Sequence, residues 1–119
     1  MNEVKWERFS KKSNREKCLI MWNWLKNHPK ITEKDQFFIK NFDMDWQEVD
    51  LLENKITALC FACQECDINC NICPIQWPFG SCLDDHSPFY QWGHSFNTPK
   101  ERKEYAEEII QLIKETWLD

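Results

Sequence analysis

The chain has 119 residues, enough for one domain with a single core and too few for two ordinary ones. Seven Trp and eight Phe supply large apolar areas, while only two glycines argue against a turn-rich β-sandwich. A net charge of −5 opposes long-range attraction to phosphate backbones; no apolar run reaches the roughly 18 residues needed to cross a bilayer, and the first residues lack the apolar core of a secretion signal, so a soluble cytoplasmic protein is expected.

Residues 1–12 show no clear period and read as a loosely ordered basic arm, although Trp6 and Phe9 have the character to fold back onto a core. Lys5, Arg8, Lys11, Lys12, Arg15 and Lys17 outweigh Glu3, Glu7 and Glu16, which gives residues 1–17 a local charge of +3. From the capping residue Ser13 onward, Cys18, Met21, Trp22 and Leu25 recur at the spacing of one helix face, and Leu19, Ile20 and Trp24 widen it until Pro29 stops the helix. A helix apolar on most sides belongs at the centre of the core, with Cys18 as a small buried hydrophobe. Thr32 opens a second helix over Glu33 to Phe42, with Phe37, Phe38 and Phe42 on one side.

Asp45 followed three residues later by Glu48 is a capping-box signal. After it, Trp46, Val49, Leu52, Ile56, Leu59 and Cys63 share a face and predict a third helix that runs on into the cysteines. Asp43, Asp45, Glu48, Asp50 and Glu53 form an uncompensated acidic run, read as a solvated face that a partner could use. Residues 66–97 have no sustained period and are punctuated by Pro74, Pro78, Gly80, Pro88 and Gly93. A segment of that length needs its own source of order, and metal ligation together with Trp77, Phe79, Phe89, Tyr90, Trp92 and Phe96 would supply it. Thr98-Pro99-Lys100-Glu101 then starts a last helix over 98–117, with Tyr105, Ile109, Leu112, Ile113 and Trp117 on its apolar face. The expected fold is mainly α: a small single-domain helical bundle, helical over 13–65 and 98–117, with the long Cys- and aromatic-rich segment 66–97 pinned by a metal.

Five of the seven cysteines, Cys60, Cys63, Cys66, Cys70 and Cys73, fall within fourteen residues, and Cys82 follows. In a reducing cytoplasm such thiols are kept free for metal or chemistry, and an odd number cannot pair completely. Two C-x2-C pairs, Cys60/Cys63 and Cys70/Cys73, have the spacing with which each pair wraps one edge of a tetrahedral zinc site. The six-residue gap between the pairs is short for a zinc module, so Cys82 is a substitute ligand, with Cys66, His86 and His94 ranked below it. An iron–sulfur cluster is the rival, because Cys60-x2-Cys63-x2-Cys66-x3-Cys70 has the bacterial ferredoxin spacing; Asn71 stands where that motif places proline. Four thiolates leave zinc without an open position, and no Gly-rich phosphate loop, nucleophile elbow, His-Glu-x-x-His helix or deaminase motif is present, so a structural metal in a non-enzyme is expected.

The string Cys60-Phe-Ala-Cys63, Cys70-x2-Cys73-Pro74-Ile75-x-Trp77, Cys82, Tyr90-x-Trp92 and Ala106-Glu107-x-Ile109 resembles a family of small uncharacterised Cys-rich proteins of bacteriophages and prophages. The resemblance covers roughly residues 17–25 and 58–115. It implies Cys60, Cys63, Cys73 and Cys82, with Cys70, as the candidate ligands, Cys66 as an extra cysteine and Cys18 as a residue outside the pattern. It also implies life in the cytoplasm of a bacterial host, and it implies no activity.

Three functions from different classes follow. The first is a protein-interaction module, such as a phage accessory or anti-defence factor, that binds a host protein through the acidic run or the loop aromatics. The second is a nucleic-acid-binding zinc protein that uses the basic arm 5–17 with Trp6 and Phe9. The third is an iron–sulfur redox protein.

Overall fold

The computed structural model describes residues 1–56, 59–66, 73–77, 82, 84, 86–94 and 97–118. It is mainly helical, with no strand among the described residues. The described residues form seven helices, α1 (Glu3–Ser10), α2 (Asn14–Asn27), α3 (Asp35–Phe42), α4 (Trp46–Lys55), α5 (Phe61–Glu65), α6 (Pro88–Trp92) and α7 (Pro99–Thr116). The Cα radius of gyration of 13.8 Å is close to the roughly 13–14 Å of a single compact domain of this length. None of these helices is long and apolar enough to cross a membrane.

The centre is α2, packed along α7. Ser13 caps α2 by accepting from the Glu16 N–H at 3.1 Å, and Cys18, Met21, Trp22 and Leu25 are its buried stripe, as their spacing predicts. The partner α7 starts with a full capping box between Thr98 and Glu101 and carries Pro99 in its first turn. Ala106, Ile109, Ile110 and Ile113 on α7 are all buried against that core. Polar ties flank the apolar seam: Lys26 Nζ lies 3.1 Å from Glu107 Oε2, and Arg15 Nε donates to the Trp117 carbonyl at 2.6 Å.

Arg102 is the one buried charged residue among those described. Its Nε donates to the Pro29 carbonyl at 2.9 Å and its Nη1 to the Asn97 carbonyl at 2.7 Å, so the guanidinium joins the end of α2 to the entry of α7. Truncation would leave two half-buried carbonyls without a donor. Arg102→Ala is expected to cost about 2–4 kcal/mol in urea unfolding; a loss under about 0.5 kcal/mol, the scale of a neutral surface change, would show that the clamp does not matter.

The second pole of the core is aromatic. The basic arm forms α1, capped by Asn2, whose side chain accepts from the Lys5 N–H at 3.2 Å. Phe9 is buried and Trp6 half-buried; Trp6 meets Phe42 at 5.2 Å between ring centroids, and Phe9 meets Phe42 at 5.0 Å and Phe61 at 5.7 Å. Residues 1–12 lack a period because only these two rings of α1 dock. The second helix begins at Asp35 rather than Glu33, and its Phe37, Phe38 and Phe42 are buried as their spacing predicts.

The expected third helix divides in two. Asp45 and Glu48 form the predicted capping box, but α4 ends at Lys55, Ile56 is extended, and Leu59 takes a left-handed φ of 54°. That conformation is sterically costly for a leucine and is held here by burial at 2% exposure. The chain is re-aimed, and α5 starts afresh with Cys60 as its cap. Trp46 also departs from expectation. It shares the period of Val49 and Leu52, yet at the first position of α4 it is 56% exposed, because the stripe meets a packed neighbour only from its second turn onward. Within 66–97, expected to be irregular, α6 forms from Pro88 under a cap by the fully buried Ser87 and packs against α7.

Candidate metal centre

Cys60 caps α5: its Sγ accepts from the Cys63 N–H at 3.4 Å, which places the two sulfurs of the first C-x2-C pair at one end of a short helix. Both are half-buried. Cys66 closes α5, is buried, and its thiol reaches the Cys63 carbonyl at 3.8 Å. Asn14 on α2 donates to Glu65 Oε2 at 2.7 Å, which anchors this helix to the centre of the fold. Cys73 is half-buried and is placed by the residues that follow it: Ile75 enters the core, and the Gln76 N–H donates to Thr116 Oγ1 at 2.9 Å at the far end of α7. Cys82 is half-buried as well. Cys70, an expected zinc ligand, lies outside the described residues, as do Asp85, Phe79 and Phe96.

Electrostatics link these thiols into one group. Cys63 interacts with Cys60, Cys82 and Cys66, while Cys73 interacts with Cys66 and Cys60. Cys18, on the buried stripe of α2, interacts with both Cys60 and Cys73. The cysteine expected to serve only as a core hydrophobe is thus fully buried and also borders the thiol group. Its thiol is raised well above the ordinary range, first by burial and then by Cys60. Cys60 is the exception: the hydrogen bond from the Cys63 thiol and the nearby Lys34 ammonium, against the cost of burial, bring it down to about 6. Cys63 is raised as the donor in that bond, with burial adding to the effect, and burial raises Cys73.

Lys34 is the cation of this group. Its residue surface is partly exposed, but desolvation of its ammonium end lowers its pKa from the usual lysine range, while Cys60, Cys18, Cys63 and Cys82 oppose that shift in that order. Nothing in the sequence around Thr32-Glu33-Lys34 marks this residue as a neighbour of the cysteines.

The described cysteines are all free thiols, a donor set whose chemistry suits a thiophilic ion. Among the described residues, no three His, Cys, Asp or Glu side chains stand where they could hold one ion together. The histidines lie on other surroundings. His86 is exposed, its N–H donates to Asp84 Oδ1 at 2.9 Å, and with Pro88 it faces Glu107, Glu108, Leu112 and Glu115 of α7 across a cavity of about 410 Å³. The His94 ring lies 6.1 Å from that of Tyr90.

The acidic run divides by role. Asp45 and Glu48 hold the α4 cap, with Glu48 Oε1 accepting from the Asp45 N–H at 3.2 Å, and Asp43 ends α3 in a left-handed conformation. Asp43, Asp50 and Glu53 are exposed and have no ion pair among the described residues. On the same helix Trp46 is 56% and Leu51 64% exposed. Leu51 also lines a groove of about 180 Å³ with Trp6, Met44, Glu48 and Leu52. Periodicity alone assigns Trp46 to the core and so does not mark this exposed position. Comparison of the chain with protein-family models, with curated proteins and with solved structures finds no match.

Proposed function

We propose that this chain is a non-catalytic protein-interaction module whose fold is completed by a structural zinc ion, and that it docks a basic, partly apolar segment of a host protein on α4. The observation that carries the reading is the exposed Trp46 on the helix of the acidic run Asp43, Asp45, Glu48, Asp50 and Glu53, with Leu51 exposed on another side of the same helix. Aromatic side chains are favoured anchors at interfaces, and unpaired carboxylates around one select a cationic partner and speed its encounter. A phage accessory or anti-defence factor acting in the bacterial cytoplasm suits this reading. Zinc would be held by Cys60, Cys63, Cys70 and Cys73, with Cys82 as substitute, and would supply only cross-links.

Capture of host proteins on the immobilised chain, with the retained protein then purified and titrated, tests the reading. Trp46→Ala is expected to weaken that complex about thirtyfold, the ~2 kcal/mol of an aromatic anchor, while shifting unfolding by under about 0.5 kcal/mol. Joint neutralisation of Asp43, Asp50 and Glu53 should slow association and remove its salt dependence. A complex indifferent to both changes would refute the α4 surface.

The nucleic-acid alternative has less support, because Phe9 and Trp6 of the basic arm pack against Phe38, Phe42 and Phe61. Absence of any shift of DNA or RNA at low salt would dispose of it. An iron–sulfur protein would instead be brown after anaerobic purification.

A further inference from the structure

We propose that the cavity between the end of α2 and the start of α7 binds a small, soluble phosphate monoester, with Lys30 and Lys40 on its phosphoryl group. The inference is independent of the metal reading and of the α4 surface, and it assigns a ligand to residues that neither of them uses.

Three observations carry it. First, the cavity is basic in an acidic chain. It measures about 590 Å³, within the roughly 300–1,000 Å³ of small-molecule sites, and is walled by the chain from Asn27 to Ile31 with Lys40 of α3 and Pro99 of α7. His28, Lys30 and Lys40 line it and no carboxylate does, although the chain as a whole carries a net charge of −5. Lys30 and Lys40 are exposed and have no ion pair among the described residues. Second, the carbonyls that would draw a cation to the end of α2 are already taken. The Trp24 carbonyl meets His28 Nδ1 at 2.7 Å, the Leu25 carbonyl accepts from the His28 N–H at 3.1 Å, the His28 carbonyl from the Ile31 N–H at 3.0 Å, and the Pro29 carbonyl from Arg102 Nε at 2.9 Å. The charge left on the wall is therefore positive. Third, the wall is held in shape by its own contacts: the His28 ring stacks on Trp24 with centroids 4.1 Å apart and planes 21° apart, and Arg102 ties Pro29 to α7.

These groups select the ligand. A lysine ammonium is a point charge suited to phosphate, and two of them from separate parts of the chain, Lys30 after α2 and Lys40 in the last turn of α3, match a dianion better than a single carboxylate. The positive end of the α7 dipole adds to that field, while the first-turn carboxylate of α7, Glu101, is engaged by the Thr98 N–H at 3.1 Å and the Thr98 hydroxyl at 3.0 Å. Pro29, Ile31 and Pro99 supply apolar wall for the organic part of an ester, a part that inorganic phosphate lacks.

The test follows the amide resonances of the full chain during titration with phenyl phosphate, with inorganic phosphate and with phenol. Phenyl phosphate is expected to shift the amides of His28, Lys30, Ile31 and Lys40 together along one saturating curve. Inorganic phosphate should bind about tenfold more weakly, since it leaves the apolar wall unused, and phenol should not saturate. Lys30→Gln and Lys40→Gln should each weaken phenyl phosphate about 3–10-fold, the range of a charge-assisted contact that stays open to water. Lys114→Gln removes the same charge from an exposed position about 22 Å along α7 from Pro99 and should leave the affinity unchanged. A Lys40 that served only the end of α3 would move the unfolding midpoint of its variant and leave phenyl phosphate affinity untouched, which counts against the site. Undiminished binding in the folded Lys30→Gln/Lys40→Gln double variant overturns the proposal. So do shifts that rise without saturation and spread equally to Lys114.

Discussion

A Phe61→Ala variant is expected to lose about 3–5 kcal/mol of unfolding free energy, the usual cost of removing a fully buried phenylalanine. Phe61 has no exposed surface; its ring meets Phe9 at 5.7 Å and Phe38 at 6.2 Å, and Lys17 Nζ stands 5.3 Å from its centroid. Those partners come from α1, α3 and α2, and Phe61 itself is the first residue of α5, so the surroundings are fixed from several directions and cannot collapse into the space left behind. A domain of this size has roughly 5–15 kcal/mol in total, so the loss should move the urea midpoint far enough that part of the population is unfolded at moderate temperature. Phe61 also follows Cys60 directly, which couples the aromatic pole of the core to the thiol group. The variant should therefore expose thiols to a maleimide reagent sooner than its global stability alone predicts. A loss below about 1.5 kcal/mol would show that the neighbouring rings repack freely around the gap.

Chelation of the proposed zinc under reducing conditions should have the second large effect, with a defined place in the fold. Structural zinc in finger peptides contributes on the order of 10 kcal/mol or more, enough that the metal-free forms do not fold. In this chain much of the core is independent of the cysteines, because α2 and α7 join through Trp22, Leu25, Ile109, Ile110 and Ile113. Loss of the metal should therefore lower helical ellipticity only in part. Amide exchange should accelerate in α5 and around Cys73 to Trp77, while α2 and α7 keep their protection. Cys60→Ser and Cys73→Ser should reproduce this pattern, whereas Cys66→Ser should have less effect. Identical ellipticity and identical exchange with and without chelator would end the structural-zinc reading.

Much of the helical framework was legible in the residues, and the reason is local. Ser13, Asp45 and Thr98 each hold a helix start through a side-chain bond to the backbone three residues on, so those signals need no knowledge of the rest of the molecule. The stripe Cys18, Met21, Trp22 and Leu25 is likewise fixed by the helical period. What could not be read depended on tertiary surroundings. The φ reversal at Leu59 has no sequence marker, since nothing in a leucine announces a left-handed conformation that burial alone sustains. Trp46 fits the apolar period of α4, but a period says which residues share a face and not how far along the helix a neighbour extends. In the candidate site, the cysteine spacings pointed to a thiol centre, whereas the approach of Cys18 and Lys34 to it comes from α2 and from the start of α3, far away in the chain.

Trp22 and Trp92 lie nearly perpendicular, at 83°, with ring centroids 5.0 Å apart. Two indoles so close and so fixed make a coupled pair of chromophores, one on the central helix and the other on the short helix that follows Cys82. Near-ultraviolet dichroism and tryptophan emission thus give the molecule an intrinsic optical gauge of whether α6 is seated on α2. Mutation at Lys34 or Phe89, which pack beside Trp22, could be followed by this signal in real time and without any added label.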